Sequence, residues 1–379
     1  MKTRILIGLE ATEGGSLKHV VYLASNLDKN QFELTVILSN SRGNNLTGEI
    51  KKLRDQGVHV HLIHMSKQIK PWKDLKAIRD VYYHIKAHKY DVVHAHSSKA
   101  GAVFRIAAWL AKSPKILYTP HCFYFQSSSR VRKLFILIER CLARITHKII
   151  VSYNERSWAL KEKTCPPQKL ININNSINFD DYKFLVDVQK SKTKWGLNNR
   201  YVVGAVGRLA TQKNWEMLIE ASQHVIKIRP EVVFIIAGDG ELRDQLFLKI
   251  VELNLCEHFK LLGHVERIEE VYAVCNLIVS TSLWEGLPYS YLEAMHFAKP
   301  IVATDLGHED LFIDGDTALL VEQQSAKMLS TKITRLIDDK ALATKIGRGA
   351  KHKISSNQYS FEHFITQHEM CYLSGDESG

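Results

Sequence analysis

A chain of 379 residues with 45% hydrophobic and 24% charged residues and only 8 prolines is larger than one hydrophobic core usually covers, so two domains are expected and the disordered and fibrous classes are excluded. No apolar stretch approaches the roughly 20 residues of a bilayer span, the start MKTRILIGLEATEGG meets a charge and glycines too early for a signal peptide, and six scattered cysteines form no CxxC pair, so a cytoplasmic protein with free thiols is expected. The net charge of +11 is uneven: residues 1–190 hold 31 Lys and Arg against 15 Asp and Glu, a formal +16, while the remainder is −5, so the first half calls for an anionic partner, whether lipid, nucleic acid or phosphorylated substrate.

In chain order, the aliphatic run RILIGL predicts a strand, followed by a loop with Gly14 and Gly15 and a helix from about Ser16. The runs ELTVILS and VHVHLIH predict two more strands, and the basic stretch KQIKPWKDLKAIR places Trp72 where an aromatic ring could enter lipid headgroups. DVVHAHS predicts a strand carrying His94, His96, Ser97, Ser98 and Lys99 at its end, with Gly101 opening a helix. His94 and His96 are read as facing opposite sides of that strand and so not sharing a metal. His96, Ser97 and Lys99 are candidate contacts to an acceptor or its phosphate, helix capping by Ser97 or Ser98 being the competing reading.

KILYTPH predicts a strand ending at His121, and the next segment carries Arg130, Arg132, Lys133, Arg140, Arg144 and Lys148 among apolar residues spaced by three and four. That spacing predicts a helix with one apolar and one basic face, suited to an anionic membrane or to a core with a solvated side. After the strand KIIVSY, the polar stretch 176–198 predicts the boundary between domains 1–180 and 181–361, with a terminal helix at 362–379 completing the first.

The second half restarts the alternation with YVVGAVG, VVFIIAGDG, FKLLGHV, LIVSTS, PIVATD and ALLVE. Strands alternating with helices predict parallel sheets covered on both faces, with ligands at the carboxyl ends of the strands. The loop GRLATQKN follows the first of these strands with Arg208 and Lys213; two cations there can neutralise a departing diphosphate without metal, the alternative being a solvated loop pair. Gly204 and Gly207 are expected to let backbone approach a ligand, and Gly238, Asp239 and Gly240 form a second strand-end turn. In LWEGLPYSYLEAMHF, Glu285 falls in a loop and Glu293 eight residues on in a helix that begins near Tyr289, whose N–H groups at 289–291 would meet a phosphate.

WEGLPYSYLEA resembles the Glu-x7-Glu segment of the family 4 retaining glycosyltransferases, and GRLATQKN, AGDG and DGDTALLVE fall in that family's order, with Ala318 where a second glycine is frequent. The resemblance implies an α/β GT-B fold, two doubly wound Rossmann-like domains facing a central cleft. It implies a UDP-linked sugar as donor, with no metal or other cofactor. Arg208 and Lys213 would hold the donor diphosphate, Glu285 the donor sugar and Glu293 the ribose. Gly286, Leu287 and Pro288 would shape the loop, with Tyr289 and Ser290 at the phosphate. Gly14, Gly15, Gly238 and Asp239 would complete the donor site, and His121 would lie against the sugar's primary hydroxyl. The catalytic set is thus Arg208, Lys213, Glu285 and His121.

DVVHAHSSKAG is similar to a segment of enzymes that extend lipid-linked sugars in bacterial capsule and exopolysaccharide assembly. The similarity implies a lipid-diphosphate-linked acceptor at the inner face of the membrane, an anionic membrane surface as partner, and an N-acetylated amino sugar as the sugar moved. A hydrolysing UDP-sugar 2-epimerase of the same fold and a glycosyltransferase acting on a diacylglycerol-type lipid remain alternatives. Nucleic acid is not an expected partner, because the basic half lacks the stacking aromatics of an RNA module. Nothing in the pattern sets the oligomeric state.

Overall fold

The structure, a computed structural model, describes the chain except residues 42–45, 67, 127–130, 184, 309 and 375–379. The chain forms two compact units, Met1–Asn175 together with the segment from Glu362 onward, and Ser176–Phe361. The crossing thus falls a few residues before the expected 180/181. Local bonding explains the position: Asn175 Oδ1 is 2.9 Å from His19 Nδ1 in the first unit, whereas the Ser176 hydroxyl donates to the Tyr359 carbonyl at 2.6 Å in the second.

The first unit contains β1 (Thr3–Leu9), β2 (Phe32–Ser39), β3 (His59–Ile63), β4 (Val92–His96), β5 (Lys115–Thr119), β6 (Lys148–Val151) and β7 (Leu170–Asn172), in the order β3-β2-β1-β4-β5-β6-β7, all parallel. Helices cover both faces, so the central strands read as continuous aliphatic runs and bury nearly every side chain. Two glycines bring the helix Ser98–Leu110 close to the sheet: a Cβ on Gly8 or on Gly101 would lie 2.4 Å from the ring of Phe104 or Tyr118 respectively. The three-residue β7 escapes sequence reading because LININNS is too short and polar to show a period.

The second unit contains β8 (Tyr201–Val206), β9 (Val232–Ala237), β10 (Phe259–Gly263), β11 (Leu277–Ser280), β12 (Ile301–Thr304) and β13 (Leu319–Val321), in the order β10-β9-β8-β11-β12-β13, again all parallel. Both sheets are doubly wound. Strand order reverses between β1 and β4 and between β8 and β11, and such switch points are where open sheets take ligands at their carboxyl ends.

The helix expected to divide into apolar and basic faces spans Arg132–Arg144 and divides differently. Its buried stripe includes Glu139, whose carboxylate receives the Arg105 Nη2 at 3.0 and 3.2 Å, with the guanidinium stacked 3.7 Å over the Tyr118 ring. The outward face mixes Lys133, Leu134, Leu137, Arg140 and Arg144. Arg130, and Lys67 of the stretch around Trp72, lie outside the described residues. No described helix is long and apolar enough to cross a membrane.

Candidate functional site

In the second unit, the loop after β8 is braced by the loop after β9. The Leu209 N–H donates to the Asp239 carbonyl at 2.9 Å and the Leu242 N–H to the Leu209 carbonyl at 3.0 Å. A Cβ on Gly238 would lie 2.0 Å from the Gly207 carbonyl oxygen, one on Gly240 2.5 Å from that of Leu209, and one on Gly207 2.8 Å from Lys213 Cε. Gly204 faces Cys275 Sγ, 2.2 Å from where its Cβ would be. These glycines therefore let loop pack on loop and seat Lys213, which replaces the expectation that Gly204 and Gly207 clear space for a ligand. The Asp239 carboxylate accepts from the Gly240 N–H at 2.8 Å and caps its own turn.

Lys213, at the end of the 3-10 turn Thr211–Lys213, places Nζ 2.7 Å from Glu285 Oε1, and Gln212 Nε2 reaches Glu285 Oε2 at 3.2 Å and the Trp284 carbonyl at 2.8 Å. The Thr281 hydroxyl holds the Lys213 carbonyl at 2.7 Å, so the turn and the loop after β11 form one braced element. The Lys213–Glu285 pair is largely buried, and such a pair repays its desolvation only with further hydrogen bonds of the kind Gln212 supplies. Arg208 differs. It is half-buried, and among the described residues its guanidinium has no hydrogen-bond or ion-pair partner; its carbonyl accepts from the Ala210 N–H at 2.8 Å and the Trp215 indole at 3.0 Å.

Glu293 lies in the helix Tyr289–His296, buried, with a phenol on each carboxylate oxygen: Tyr182 donates to Oε1 at 3.0 Å and Tyr272 to Oε2 at 2.9 Å. Burial, then the Glu293 charge, pushes the Tyr272 phenol well above its ordinary value, so it remains a donor. The helix starts at Tyr289 as expected, but the Tyr291 N–H already donates to the Pro288 carbonyl at 3.1 Å, so of the three N–H groups assigned to phosphate that one is engaged. Gly286, Leu287 and Tyr289 are buried, with Pro288 and Ser290 half-buried at the helix start.

In the first unit, Gly14 has φ +60°, a conformation only glycine adopts freely, and opens the helix Gly14–Asn26 two residues ahead of Ser16, with Gly15 in its first turn. At the end of β4, Ser97 has φ +66°, uncommon for a serine, and its buried Oγ has no partner among the described residues; it makes no capping bond, which overturns the capping reading. Lys99 pairs with Asp74 at 2.5 Å and donates to the Gln68 carbonyl at 3.2 Å, so its charge is spent within the unit rather than held for an acceptor phosphate.

The strand expected to end at His121 stops at Thr119. His121 and Cys122 follow in left-handed conformation, φ 50° and 80°. Glu155 holds them there: its Oε1 accepts from the Cys122 N–H at 2.5 Å, and its Oε2 accepts from the Ser152 N–H at 2.8 Å in the capping box of the helix Tyr153–Lys161. Burial raises the Glu155 carboxyl above its ordinary value.

His94 and His96 lie on the same face of β4, ring centroids 4.0 Å apart, which overturns the opposite-face reading; side chains two apart in a strand share a face. Around them gather His19 from the first helix, His121, and His368 from the terminal helix Phe361–Leu373. His96 Nδ1 is 3.1 Å from His121 Nε2, and the His19 ring is 4.6 Å from that of His121 and 5.5 Å from that of His368. Burial first, then mutual repulsion, lowers His19, His94 and His96 well below the ordinary imidazole range; His121 falls to about 3 and His368 to about 4. All five rings are neutral at neutral pH.

Sequence reading did not single out His19, His368, Glu155, Tyr182 or Tyr272. Glu155 had a signal in Ser152-x-x-Glu155 ahead of a helix. The tyrosines had none, because Tyr182 reaches Glu293 across 111 positions of chain.

Two family models match the chain, Glycosyltransferase Family 4 over residues 13–181 and Glycosyl transferases group 1 over residues 187–353. The chain is 31% identical over 326 residues to the UDP-Gal:alpha-D-GlcNAc-diphosphoundecaprenol alpha-1,3-galactosyltransferase of Escherichia coli, covering 83% of each. It is 24% identical over 328 residues to the capsular polysaccharide biosynthesis glycosyltransferase CapM of Staphylococcus aureus, covering 83% of this chain and 84% of that one. In solved structures it matches HepE of Anabaena in complex with UDP and glucose, at TM-score 0.83 and 22% identity over 98% of this chain and 100% of that one; this likeness concerns the fold.

Proposed function

This chain belongs to the family 4 glycosyltransferases and has the GT-B fold, and from that premise we propose that it moves a sugar from a UDP-linked donor to a lipid-diphosphate-linked sugar, with retention of configuration and without metal. The coarser activity, hexosyl transfer in bacterial polysaccharide or lipid-linked sugar assembly, follows from the family and its relatives. The observation that carries the finer reading is Arg208: a half-buried guanidinium with no partner among the described residues, at the carboxyl end of β8 beside the switch point. A diphosphate is the partner whose charge and shape it fits.

On this reading Arg208 and Lys213 stabilise the diphosphate as the bond from the anomeric carbon to its oxygen breaks. The acceptor oxygen bonds that carbon on the same face, and the acceptor proton passes to the departing phosphate oxygen. Glu285, both of whose oxygens are engaged by Lys213 and Gln212, positions the donor sugar rather than attacking it. Glu293 takes the ribose hydroxyls. Gly14, Gly15 and His121 are assigned to the donor and His96 and Ser97 to the acceptor. UDP as the nucleotide is supported by the donor in the E. coli relative's name and by the ligand of HepE, and the acceptor class by the same relative's name.

Peripheral attachment to the inner face of the membrane is part of the proposal. It is supported by Trp72, 85% exposed, and Leu75 on the helix Pro71–His88, and by exposed Leu134 and Leu137 beside Lys133 and Arg144. Arg140 is tied to the Glu162 and Lys163 carbonyls, so Lys133→Gln with Arg144→Gln is the cleaner test, expected to release the chain from anionic vesicles.

The deciding experiment supplies UDP-galactose, UDP-glucose, UDP-GlcNAc and UDP-GalNAc in EDTA, with a polyprenyl-diphosphate-linked GlcNAc or with diacylglycerol. An α-linked product on the polyprenyl lipid is expected, and the productive donor tells an N-acetylated amino sugar from galactose. UDP and epimerised free sugar without glycolipid, a product on diacylglycerol, or a strict Mn2+ requirement would each overturn the scheme.

A further inference from the structure

The histidine cluster of the first unit holds electron pairs that nothing among the described residues uses. His19 Nδ1 lies 2.9 Å from the Asn175 carbonyl oxygen, which places the proton on Nδ1 and leaves a bare lone pair on Nε2. That Nε2 is buried and has no partner among the described residues, and the same holds for His96 Nε2. A proton on His96 Nε2 would be a buried donor without an acceptor, so it too presents a lone pair, and the His96 Nδ1–H then donates to His121 Nε2 at 3.1 Å, a hydrogen bond that His121 exchanges for the metal when it ligates. His94 is different: its nitrogens are engaged by Tyr372 at 2.8 Å and Thr119 at 2.9 Å, so it braces the cluster.

One ring nitrogen from each of His19, His96 and His121 lies within 4.8 Å of the others, and among the described residues no carboxylate or thiol joins the set. From this geometry we propose that His19, His96 and His121 form a binding site for a borderline divalent cation such as Zn2+. Three neutral imidazoles suit zinc, nickel or cobalt and do not suit magnesium or calcium, which take oxygen ligands. Zn–N bonds of about 2.0–2.1 Å in a tetrahedral site place the ligand nitrogens roughly 3.4 Å apart, a spacing inside the 4.8 Å within which they now lie. The Asn175 carbonyl on His19 Nδ1–H is the outer hydrogen bond that a ligating histidine uses to fix its tautomer. His121 is only partly buried and gives the ion a way in.

The site is not a cofactor site for the transfer proposed above. An ion bound there holds His121 away from the donor sugar, so occupancy opposes turnover; this consequence, unlike the site itself, rests on the donor assignment of His121.

The test uses the untagged full chain, freed of metal and chelator, titrated calorimetrically with Zn2+ and followed by absorption with Co2+. One Zn2+ per chain is expected, unaffected by excess Mg2+, with cobalt showing the ligand-field bands of a four-coordinate nitrogen site and no thiolate charge-transfer band from Cys122, Cys141 or Cys256. His19→Gln is expected to weaken binding at least tenfold. Asn175→Ala, outside the ligand set, is expected to weaken it about tenfold, and it decides the matter should the first variant fail to fold. Absence of stoichiometric zinc, a thiolate band, or affinity untouched by Asn175→Ala would overturn the site, the space then being one for water. Turnover that rises with zinc occupancy would overturn the opposing role.

Discussion

The two units share the order of their first six strands yet bury polar side chains at their switch points in different ways. The second unit uses charge: Lys213 on Glu285, and Glu293 between two phenols, with Arg208 left over. The first uses neutral rings: five histidines below their ordinary pKa, with nitrogens of His19 and His96 and the Ser97 hydroxyl having no partner among the described residues. A paired charge is expensive to separate and suits a ligand that exchanges one partner for another, as a diphosphate would for Lys213. Neutral groups with spare lone pairs cost less to bury and suit hydroxyls or a soft ion.

Breaking the charged arrangement should have the largest effect. Lys213→Met removes a cation from the departing diphosphate and is expected to lower kcat by about 100-fold or more. It also leaves Glu285 buried with Gln212 but without its cation, at a cost of about 3 kcal/mol to the second unit, measurable by denaturant unfolding. Turnover within a fewfold of wild type would mean that the pair is structural. The two carboxylates should then separate by readout. Glu293→Ala is expected to weaken UDP binding about tenfold or more, a loss of some 1.4 kcal/mol or above. Glu285→Ala is expected to lower turnover with UDP affinity nearly kept. Calorimetry with UDP alongside initial rates distinguishes them, and the reverse pattern would exchange their roles.

The neutral arrangement is sharpened by pH. Each buried imidazole has a folded pKa below its unfolded value near 6.5, so below that pH the unfolded chain binds more protons than the folded one. The stability these rings provide is present above about pH 6.5 and is lost as pH falls toward the folded values, about 4 for His368 and about 3 for His121. The slope is up to about 1.4 kcal/mol per pH unit for each ring that stays neutral. Glu155, with its raised carboxyl, works in the opposite sense in the carboxylate range, so the clean window is just below pH 6.5. Urea unfolding across that window should show a shallower slope for His368→Gln than for wild type; equal slopes would remove the histidines as its cause.

What was legible beforehand follows the reach of each physical signal. Aliphatic runs such as RILIGL and VVFIIAGDG exposed their strands because buried parallel strands need both faces apolar, and β7 stayed hidden because three residues carry no period. Glu285 and Glu293 were readable from local spacing, a turn and two flanking strands. Their partners were not, since no local pattern links Tyr182 to Glu293 or distinguishes Tyr272 from a core tyrosine. The shared face of His94 and His96 was available from the period of two and was misread. The strained Ser97 and the left-handed His121 depend on backbone angles that residue types alone do not encode.

The smallest effect concerns how Glu293 is held. Each carboxylate oxygen can accept more than one hydrogen bond, so on the proposed role Tyr182 and Tyr272 keep their bonds while ribose hydroxyls reach Glu293. The phenols then orient Glu293 and do not compete for it. Tyr182→Phe removes one hydrogen bond of about 1 kcal/mol, so UDP affinity should fall about fivefold, with donor KM raised and kcat near wild type. Tighter UDP binding would show instead that Tyr182 occupies the ribose position and must leave before the nucleotide enters. Because Tyr182 lies six residues beyond the Asn175–Ser176 crossing, that outcome would make the connecting segment a gate on the charged site, whereas the expected one makes it a support.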